Sequence, residues 1–198
     1  MKCVLLSVKP KWVSMILNGK KTIEIRKRFP KNYRGWVYIY CTKDKPYLAN
    51  AIELFTGKYA CISNDEVSYK EHNLNGKVVA RFYCDNVEEI LFDLCEKEWF
   101  TDTFEEKELL KESCLSQEEL DDYLEGKNGC AIHISKLEIF DKPKELSEFM
   151  KTLDNFNGVN CFRCSKHSNC SFDKDKKCEK LKLTKAPQSF MFIEIGEE

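Results

Sequence analysis

Four cysteines form the densest group of potential metal ligands in the sequence. Cys161, Cys164, Cys170 and Cys178 follow the spacing C-x2-C-x5-C-x7-C within eighteen residues. Four thiolates this close can hold a tetrahedral zinc ion, whose binding supplies folding free energy to a polar segment with little apolar surface to bury. The pattern therefore predicts a structural zinc site. An iron–sulfur cluster, which irregular cysteine spacing also suits, and four unconnected thiols are the alternatives.

A second group of reactive side chains lies in the segment GKKTIEIR. After Gly19, the residues Lys21, Glu24 and Arg26 complete the pattern G-x-K-x-x-E-x-R. Residues two apart on a strand share a face, so Glu24 and Arg26 can reach one ligand, with Thr22 a weaker candidate beside them. Arg26 can bind a phosphate or a base edge, while Glu24 and Lys21 can serve as an acid and base pair. The alternative is an ordinary surface ion pair.

A basic segment with interleaved aromatic residues surrounds this pattern. Seven bases fall within fifteen positions: Lys20, Lys21, Arg26, Lys27, Arg28, Lys31 and Arg34. Phe29 and Tyr33 lie among them, and Trp36 follows. Positive charge beside stacking surfaces is what single-stranded nucleic acid requires, so Arg28 and Trp36 join the candidate ligand-binding residues. A solvated lysine-rich loop with core aromatics is the alternative.

Charge is distributed unevenly along a chain whose net charge is −1. Residues 1–45 carry twelve bases against two acids, whereas residues 85–125 carry sixteen acids against three bases. A local basic face attracts phosphates whatever the overall sum, so this asymmetry favours an anionic ligand. The acidic stretch is either a functional surface or the solvated side of helices.

Periodicity predicts the elements that position these residues. Apolar alternation and helical spacing, with proline and glycine at the boundaries, indicate the following order. We expect a strand at 2–8, a helix from Pro10 to Gly19, a strand at 22–26 with one exposed face, a strand at 36–41, a helix at 47–56, a strand at 77–84, an acidic helical region at 96–125 with a capping box from Ser116, a strand at 130–140 with a bulge near Ser135 and Lys136, and a strand at 189–195.

Length and composition predict one domain with an insertion. The 198 residues suffice for one well-buried core, which we assign to 1–150 and 181–198, with the cysteine-rich insertion at 151–180. Short strands with interspersed helices indicate a mixed, largely antiparallel α+β barrel. The other seven cysteines are expected to be reduced core residues. No signal-peptide pattern and no long apolar run occurs, so we expect a cytoplasmic protein without membrane association.

The segment GKKTIEIR, with the preceding LLSVKPKWVSMILNG, resembles the ASCH domain. GCAIHISKLEIFDKPKELSEF and LTKAPQSFMFIEI are similar to late strands of ASCH proteins often encoded in prophages. The resemblance implies a PUA-like pseudobarrel whose relatives bind RNA and whose cleft is lined by the charged side chains of the motif. Other relatives have been proposed to cleave RNA.

Some ASCH relatives are amidohydrolases that remove acyl groups from N4-acylated cytidine. They use the motif lysine, a hydroxyl residue on the same strand and a distant glutamate. Lys21 matches the lysine, but Glu24 stands at the hydroxyl position, so the sequence departs from that pattern unless Thr22 substitutes.

Three hypotheses about function follow. The first is a binding or processing module for RNA or a modified nucleotide. The second is an amidohydrolase with Lys21 and Glu24 as acid and base, and the third is a protein-interaction module. Whether the chain catalyses a reaction stays open at this point.

Overall fold

The computed structural model describes residues 1–50, 59–62, 73–152 and 181–195, which together form a mixed α+β fold. These residues contain twelve strands and three α-helices. The strands are β1 Lys2–Val8, β2 Ile23–Arg26, β3 Gly35–Cys41, β4 Tyr47–Asn50, β5 Tyr59–Ile62, β6 Val78–Cys84, β7 Val87–Asp93, β8 Glu98–Phe100, β9 Gly129–His133, β10 Ser135–Lys144, β11 Met150–Lys151 and β12 Phe190–Glu194. The helices are α1 Pro10–Leu17, α2 Glu106–Ser113 and α3 Gln117–Leu124.

Two sheets enclose the main apolar core. The first has the order β10-β6-β3-β1-β12-β11, with β1 and β3 parallel and its other pairs antiparallel. The second has the order β2-β9-β7-β8, and β4 pairs with β5 separately. Leu6, Ile39 and Phe82 of the first sheet share one buried cluster with Ile132 of the second. The apolar faces of both sheets therefore form one core, with β2 at an edge of the second sheet.

The predicted bulge lies where the chain passes from one sheet to the other. β9 ends in the second sheet and β10 begins in the first, and their register shifts between Ser135 and Glu138. Lys136 takes a positive φ of 45° at this point. A bulge bends a strand, so this one lets a nearly continuous segment serve two sheets.

Local sequence accounts for the ends of α1 and α3. Pro10 begins α1, where its missing N–H is not needed, and Gly19 follows the helix with a φ of +69° that favours glycine. Ser116 caps α3 in a complete capping box with Glu119, as predicted. Leu120 of α3 is fully buried, and this packing fixes the helix in place.

Several predicted elements are confirmed, and three predictions about local structure are wrong. The strands expected at 2–8, 36–41, 77–84 and 189–195 are present. The helix expected at 47–56 is instead strand β4 over its described part, because Tyr47–Asn50 pairs with Tyr59–Ile62. β8 replaces helix at the start of the acidic region, since Trp99 is buried between the exposed residues of Glu98–Phe100. Of the seven scattered cysteines, Cys61 and Cys95 are exposed and not core residues.

The prediction of an exposed face on β2 is also wrong. Ile23 and Ile25 pack into an apolar cluster with α2 and α3, as alternation requires. The opposite face, which carries Glu24 and Arg26, is buried as well. A strand with charged residues on a buried face requires partners for those charges.

Hydrogen bonds join the chain on either side of residues 153–180. Met150 forms a β-bridge with Lys182, and the Leu183 N–H donates to the Phe149 carbonyl over 2.9 Å. We call this ladder the bracket. The predicted cysteine insertion lies almost entirely outside the described residues, so its boundaries stay a prediction. None of the helices in the described part has the length and apolar character to cross a membrane.

Candidate functional site

A cavity of about 850 Å³ opens over the charged face of β2. Its volume lies within the range of roughly 300–1,000 Å³ that is common for small-ligand sites. The lining comes from β1 and α1, from β2 and the residues after it, from the residues after β3, from the α3 region and from the chain before β12. Those lining residues are Ser7, Lys9, Trp12, Lys21, Glu24, Ile25, Arg26, Lys27, Arg28, Thr42, Asp44, Leu115, Glu119, Asp122, Tyr123, Gln188, Ser189 and Phe190.

The motif residues form a buried ionic cluster in this cavity. Lys21, Glu24 and Arg26 are only 3%, 5% and 9% exposed. One Glu24 carboxylate oxygen lies 2.8 Å from Arg26 Nη2, and the other lies 3.4 Å from Lys21 Nζ. Glu24 therefore bridges two cations. A surface ion pair, the alternative considered from the sequence, does not describe this arrangement.

Backbone carbonyl groups also accept hydrogen bonds from both cations. Lys21 Nζ donates to the Ser113 carbonyl at the end of α2 over 2.5 Å, and Arg26 Nη2 donates to the Ser7 carbonyl of β1 over 2.7 Å. Carbonyl groups at the end of a helix carry partial negative charge and favour a nearby cation. The cluster is thus held by two elements distant in sequence, and its geometry is fixed before any ligand arrives.

Burial alters the acid–base behaviour of Lys21. Loss of hydration lowers the pKa of its ammonium group below the usual value, and the neighbouring Glu24 carboxylate offsets only part of this effect. The neutral amine is therefore reached at a lower pH than for an ordinary lysine. A lysine with a lowered pKa in a cavity can act as a base or nucleophile as well as a cation.

Arg26 retains an unmet donor. Its Nε atom is buried and has no hydrogen-bond partner among the described residues. A buried donor without an acceptor costs about 1–3 kcal/mol. A ligand with an acceptor group at this point would satisfy the donor.

Thr22 connects the motif to an acidic residue that sequence reasoning did not identify. The Thr22 hydroxyl donates to the Glu112 carboxylate, and the Thr22 N–H donates to the Glu112 carbonyl over 2.9 Å. The hydrogen bond from Thr22 holds the pKa of Glu112 below its usual value. Glu112 is one of sixteen acids in its stretch, and no spacing distinguished it from the others.

The structure brings Arg28 to the cavity but not Trp36. Arg28 is an exposed lining residue. The Arg81 guanidinium carbon lies 4.5 Å from the centroid of the Trp36 ring, and Trp36 also packs against Tyr83 of β6. Three other aromatic residues line the cavity instead: Trp12, Tyr123 and Phe190. Trp12 lies in the segment LLSVKPKWVSMILNG that precedes the rest of the motif, which is the signal that could have identified it.

The candidate zinc ligands Cys161, Cys164, Cys170 and Cys178 lie outside the described residues. Within the ranges that the structure describes, no group of three or more His, Cys, Asp or Glu side chains is arranged to hold a metal ion. The predicted zinc site therefore stays a prediction that rests on cysteine spacing.

Comparison with known proteins gives one family match. The model described as ASCH domain matches residues 6–144. A search of curated proteins gives no match. Among solved structures, the crystal structure of ASCH from Zymomonas mobilis is similar at 17% identity and a TM-score of 0.48, covering 96% of this chain and 85% of that one. Two mutants of the Zymomonas mobilis protein match at 18% and 17% identity, each with a TM-score of 0.47 and 96% of this chain covered, and with 86% and 89% of their own chains covered.

Proposed function

The chain belongs to the ASCH domain family, a family suggested to bind RNA, and from this premise we propose that the cavity over β2 binds a nucleotide of RNA or a modified nucleotide. The observation that carries the proposal is the buried cluster of Lys21, Glu24 and Arg26 in a cavity with aromatic walls. A pocket that joins fixed polar groups to stacking surfaces suits a nucleobase.

Each part of the cavity corresponds to a part of a nucleotide. Lys9 and Arg28 are exposed cations at the opening and suit a phosphate. Trp12 and Tyr123 supply aromatic surface for a base. Lys11 and Lys21 Nζ lie 4.2 and 5.2 Å from the centroid of the Trp12 ring, and Lys27 Nζ lies 5.6 Å from that of Tyr123. Glu24 and Arg26 offer an acceptor and donors on one strand face, which suit the hydrogen-bonding edge of a base.

Fluorescence anisotropy of labelled single-stranded RNA across a salt series tests the proposal. We choose Arg28→Ala because Arg28 is exposed, so its removal leaves the fold intact. The variant should bind more weakly, and the slope of log K against log salt should fall by about 0.7 for one lost phosphate contact. Lys107→Ala, an exposed position on α2 away from the cavity, is the matched control and should behave as wild type. Absence of RNA binding, or equal losses in both variants, would contradict the proposal.

An amidohydrolase acting on N4-acylated cytidine or a related small amide is the second candidate. The Thr22 hydroxyl, next to Lys21 in the sequence, donates to the Glu112 carboxylate and favours it as a lysine–hydroxyl–carboxylate set, although Thr22 and Glu112 lie outside the cavity lining. In this role Lys21 and Glu24 remain the acid and base pair, and Glu112 orients or activates the Thr22 hydroxyl. Release of acetate from N4-acetylcytidine should occur with wild type and with Lys20→Ala, an exposed neighbour, and should stop in Lys21→Met. No release by wild type would exclude this substrate.

We further propose that Cys161, Cys164, Cys170 and Cys178 bind one structural zinc ion. Their spacing within eighteen residues supports this. Elemental analysis should find one zinc per chain in wild type and in Cys95→Ser, and much less in Cys164→Ser. Iron together with acid-labile sulfide would identify an iron–sulfur cluster instead. The cytoplasmic location and the prophage origin of the chain stay predictions.

A further inference from the structure

Three buried charged residues form one wall of the cavity, which we call the floor, and their charges do not balance. Lys21 and Arg26 are cations, and Glu24 is the only carboxylate among them. A different oxygen of Glu24 contacts each cation, at 3.4 Å for Lys21 and 2.8 Å for Arg26. While Lys21 is protonated, the floor therefore has one positive charge in excess. A buried charge without an opposite charge beside it costs free energy, so the floor favours a ligand that brings a negative charge.

The other charged residues of the cavity lining do not supply that negative charge. They are three cations and three carboxylates, so they balance in number, and none of them is buried: Lys9, Lys27, Arg28, Asp44, Glu119 and Asp122. Water and salt screen exposed charges much more strongly than buried ones. The excess charge that a ligand meets inside the cavity is therefore the charge of the floor.

Arg26 also has hydrogen-bond donors on the floor that no described residue uses. Its Nη2 atom makes both of its polar contacts, with the Ser7 carbonyl at 2.7 Å and with Glu24 at 2.8 Å. Nε is buried without a partner, and Nη1 makes no polar contact in the described part of the chain. Unlike Nε, Nη1 is not among the buried atoms, so a ligand can reach it. Its two N–H groups suit an oxyanion, because hydrogen bonds between ionised partners are the strong ones.

Glu24 offers acceptor sites beside those donors. A carboxylate has about four lone-pair sites, and Lys21 and Arg26 occupy one on each oxygen. The floor therefore presents an acceptor next to a cationic donor. An unmodified base offers N–H groups and carbonyl or ring-nitrogen acceptors, but it carries no negative charge. A base that bears an acidic substituent offers an N–H group and an oxyanion together.

We propose that the base taken up by this cavity carries a carboxylate on a substituent of its exocyclic amine. The N–H of that amine donates to Glu24, and the carboxylate accepts from Nη1 of Arg26. The bound carboxylate supplies the negative charge that the floor lacks. This inference rests on the proposed function, because it names the class of modified nucleotide that the same cavity binds.

Short labelled RNAs test the inference on the wild-type protein by fluorescence anisotropy at one fixed salt concentration. Each RNA has about five nucleotides, which is within the usual site size of single-strand binders. The central base is cytosine in one series and adenine in a second, because both bases have an exocyclic amine. Within each series this amine is unmodified, carries a carboxymethyl group or carries the methyl ester of that group. The phosphates are the same throughout, so the difference in affinity between acid and ester measures the effect of the oxyanion.

The acid-bearing RNA should bind at least about tenfold more tightly than its ester in one or both series. Arg26→Gln should abolish this preference, and it leaves Lys21 and Glu24 as a balanced pair. Arg81→Gln removes the same charge from an arginine–glutamate pair outside the cavity lining, so it is the matched control and should keep the preference. Circular dichroism spectra establish that both variants are folded.

The outcomes separate this inference from the proposed function. Equal affinity of wild type for acid and ester in both series would overturn the inference and leave RNA binding in place. A preference that persists in folded Arg26→Gln, or that is lost equally in Arg81→Gln, would also overturn it, because the floor would then not be its source. If Arg26→Gln does not fold, the comparison of acid with ester on wild type still decides. Absence of binding to every one of these RNAs by wild type would overturn the proposed function and the inference together.

Discussion

Two strand faces of this protein carry an arginine–glutamate pair at nearly the same distance, yet their surroundings differ. On β2 the Arg26–Glu24 contact is 2.8 Å, with the two side chains 11% and 6% exposed. Between β6 and β10 the Arg81–Glu138 contact is 2.6 Å, with exposures of 22% and 47%. Pair geometry alone therefore does not distinguish a site from a surface contact. What distinguishes them is the neighbouring chain: the backbone carbonyls of Ser7 and Ser113 accept from the two cations around β2, whereas Arg81 donates to the Tyr38 hydroxyl over 3.1 Å.

The largest difference between the two pairs should appear in the free energy of unfolding when the glutamate of each pair is replaced. Glu24→Gln leaves Lys21 and Arg26 as buried cations without a compensating charge, and removal of one partner of a buried pair costs about 3–5 kcal/mol. Glu138→Gln leaves a partly solvated Arg81, and loss of an exposed pair costs about 0–1 kcal/mol. Urea denaturation followed by circular dichroism measures both. Equal losses of unfolding free energy would show that burial does not separate the two regions.

Two tryptophans, one in each region, extend the comparison from stability to ligand affinity. Trp12 lines the cavity, whereas Trp36 packs against Arg81 in the other region. Trp12→Leu should weaken single-stranded RNA binding by about 1–3 kcal/mol, the value of one stacked base. Trp36→Leu should leave the affinity unchanged in the same anisotropy titration. A loss confined to Trp36→Leu would place the ligand beside Arg81 and Tyr83 and not in the cavity over β2.

The pH dependence of stability gives the smallest expected effect. The folded pKa of Lys21 is lowered from its usual 10.5 by burial, so the unfolded chain binds more protons between the two values. Stability should therefore rise with pH as the solution approaches pH 10.5 from below, by at most about 1.4 kcal/mol per pH unit for one proton. Lys21→Met should remove this rise in a series of urea titrations.

Lys31 is the matched control for that prediction. Its hydrogen bond to Glu89 raises the pKa of the exposed Lys31 ammonium, so its contribution has the opposite sign and is lost as pH rises. Lys31→Met should therefore leave the rise in place. NMR titration of the lysine side chains should show Lys21 losing its proton before Lys31, and the reverse order would contradict the assignment.

Sequence reasoning identified the residues of the motif but not their environment. Alternation along β2 correctly placed Glu24 and Arg26 on one face, because strand periodicity is local. Whether that face meets solvent depends on Ser113, which lies 92 positions from Lys21. Alternation could not show whether the Trp36 side chain lies at the ligand site, since both faces of β3 are apolar. Glu112 could not be identified either, because it lies 90 positions from Thr22 in the sequence.

Errors in the predicted elements have a similar origin. Tyr47–Asn50 has few residues, and a short apolar run does not separate strand from helix without its pairing partner. Glu98–Phe100 lies among acids that suggested a solvated helix, but Trp99 is buried against Phe92 and donates to Asp121. In contrast, the capping box at Ser116 and the bulge at Lys136 were predictable because each depends on neighbouring residues alone.

The bracket between Phe149–Met150 and Lys182–Leu183 has a consequence for the evolution of the chain. Because this ladder joins the two flanks directly, the length and content of whatever lies between them are decoupled from the registration of β11 and β12. An insertion can therefore be gained or lost at this position during evolution without a change in the rest of the barrel. It is also a natural place to graft a reporter or an affinity tag.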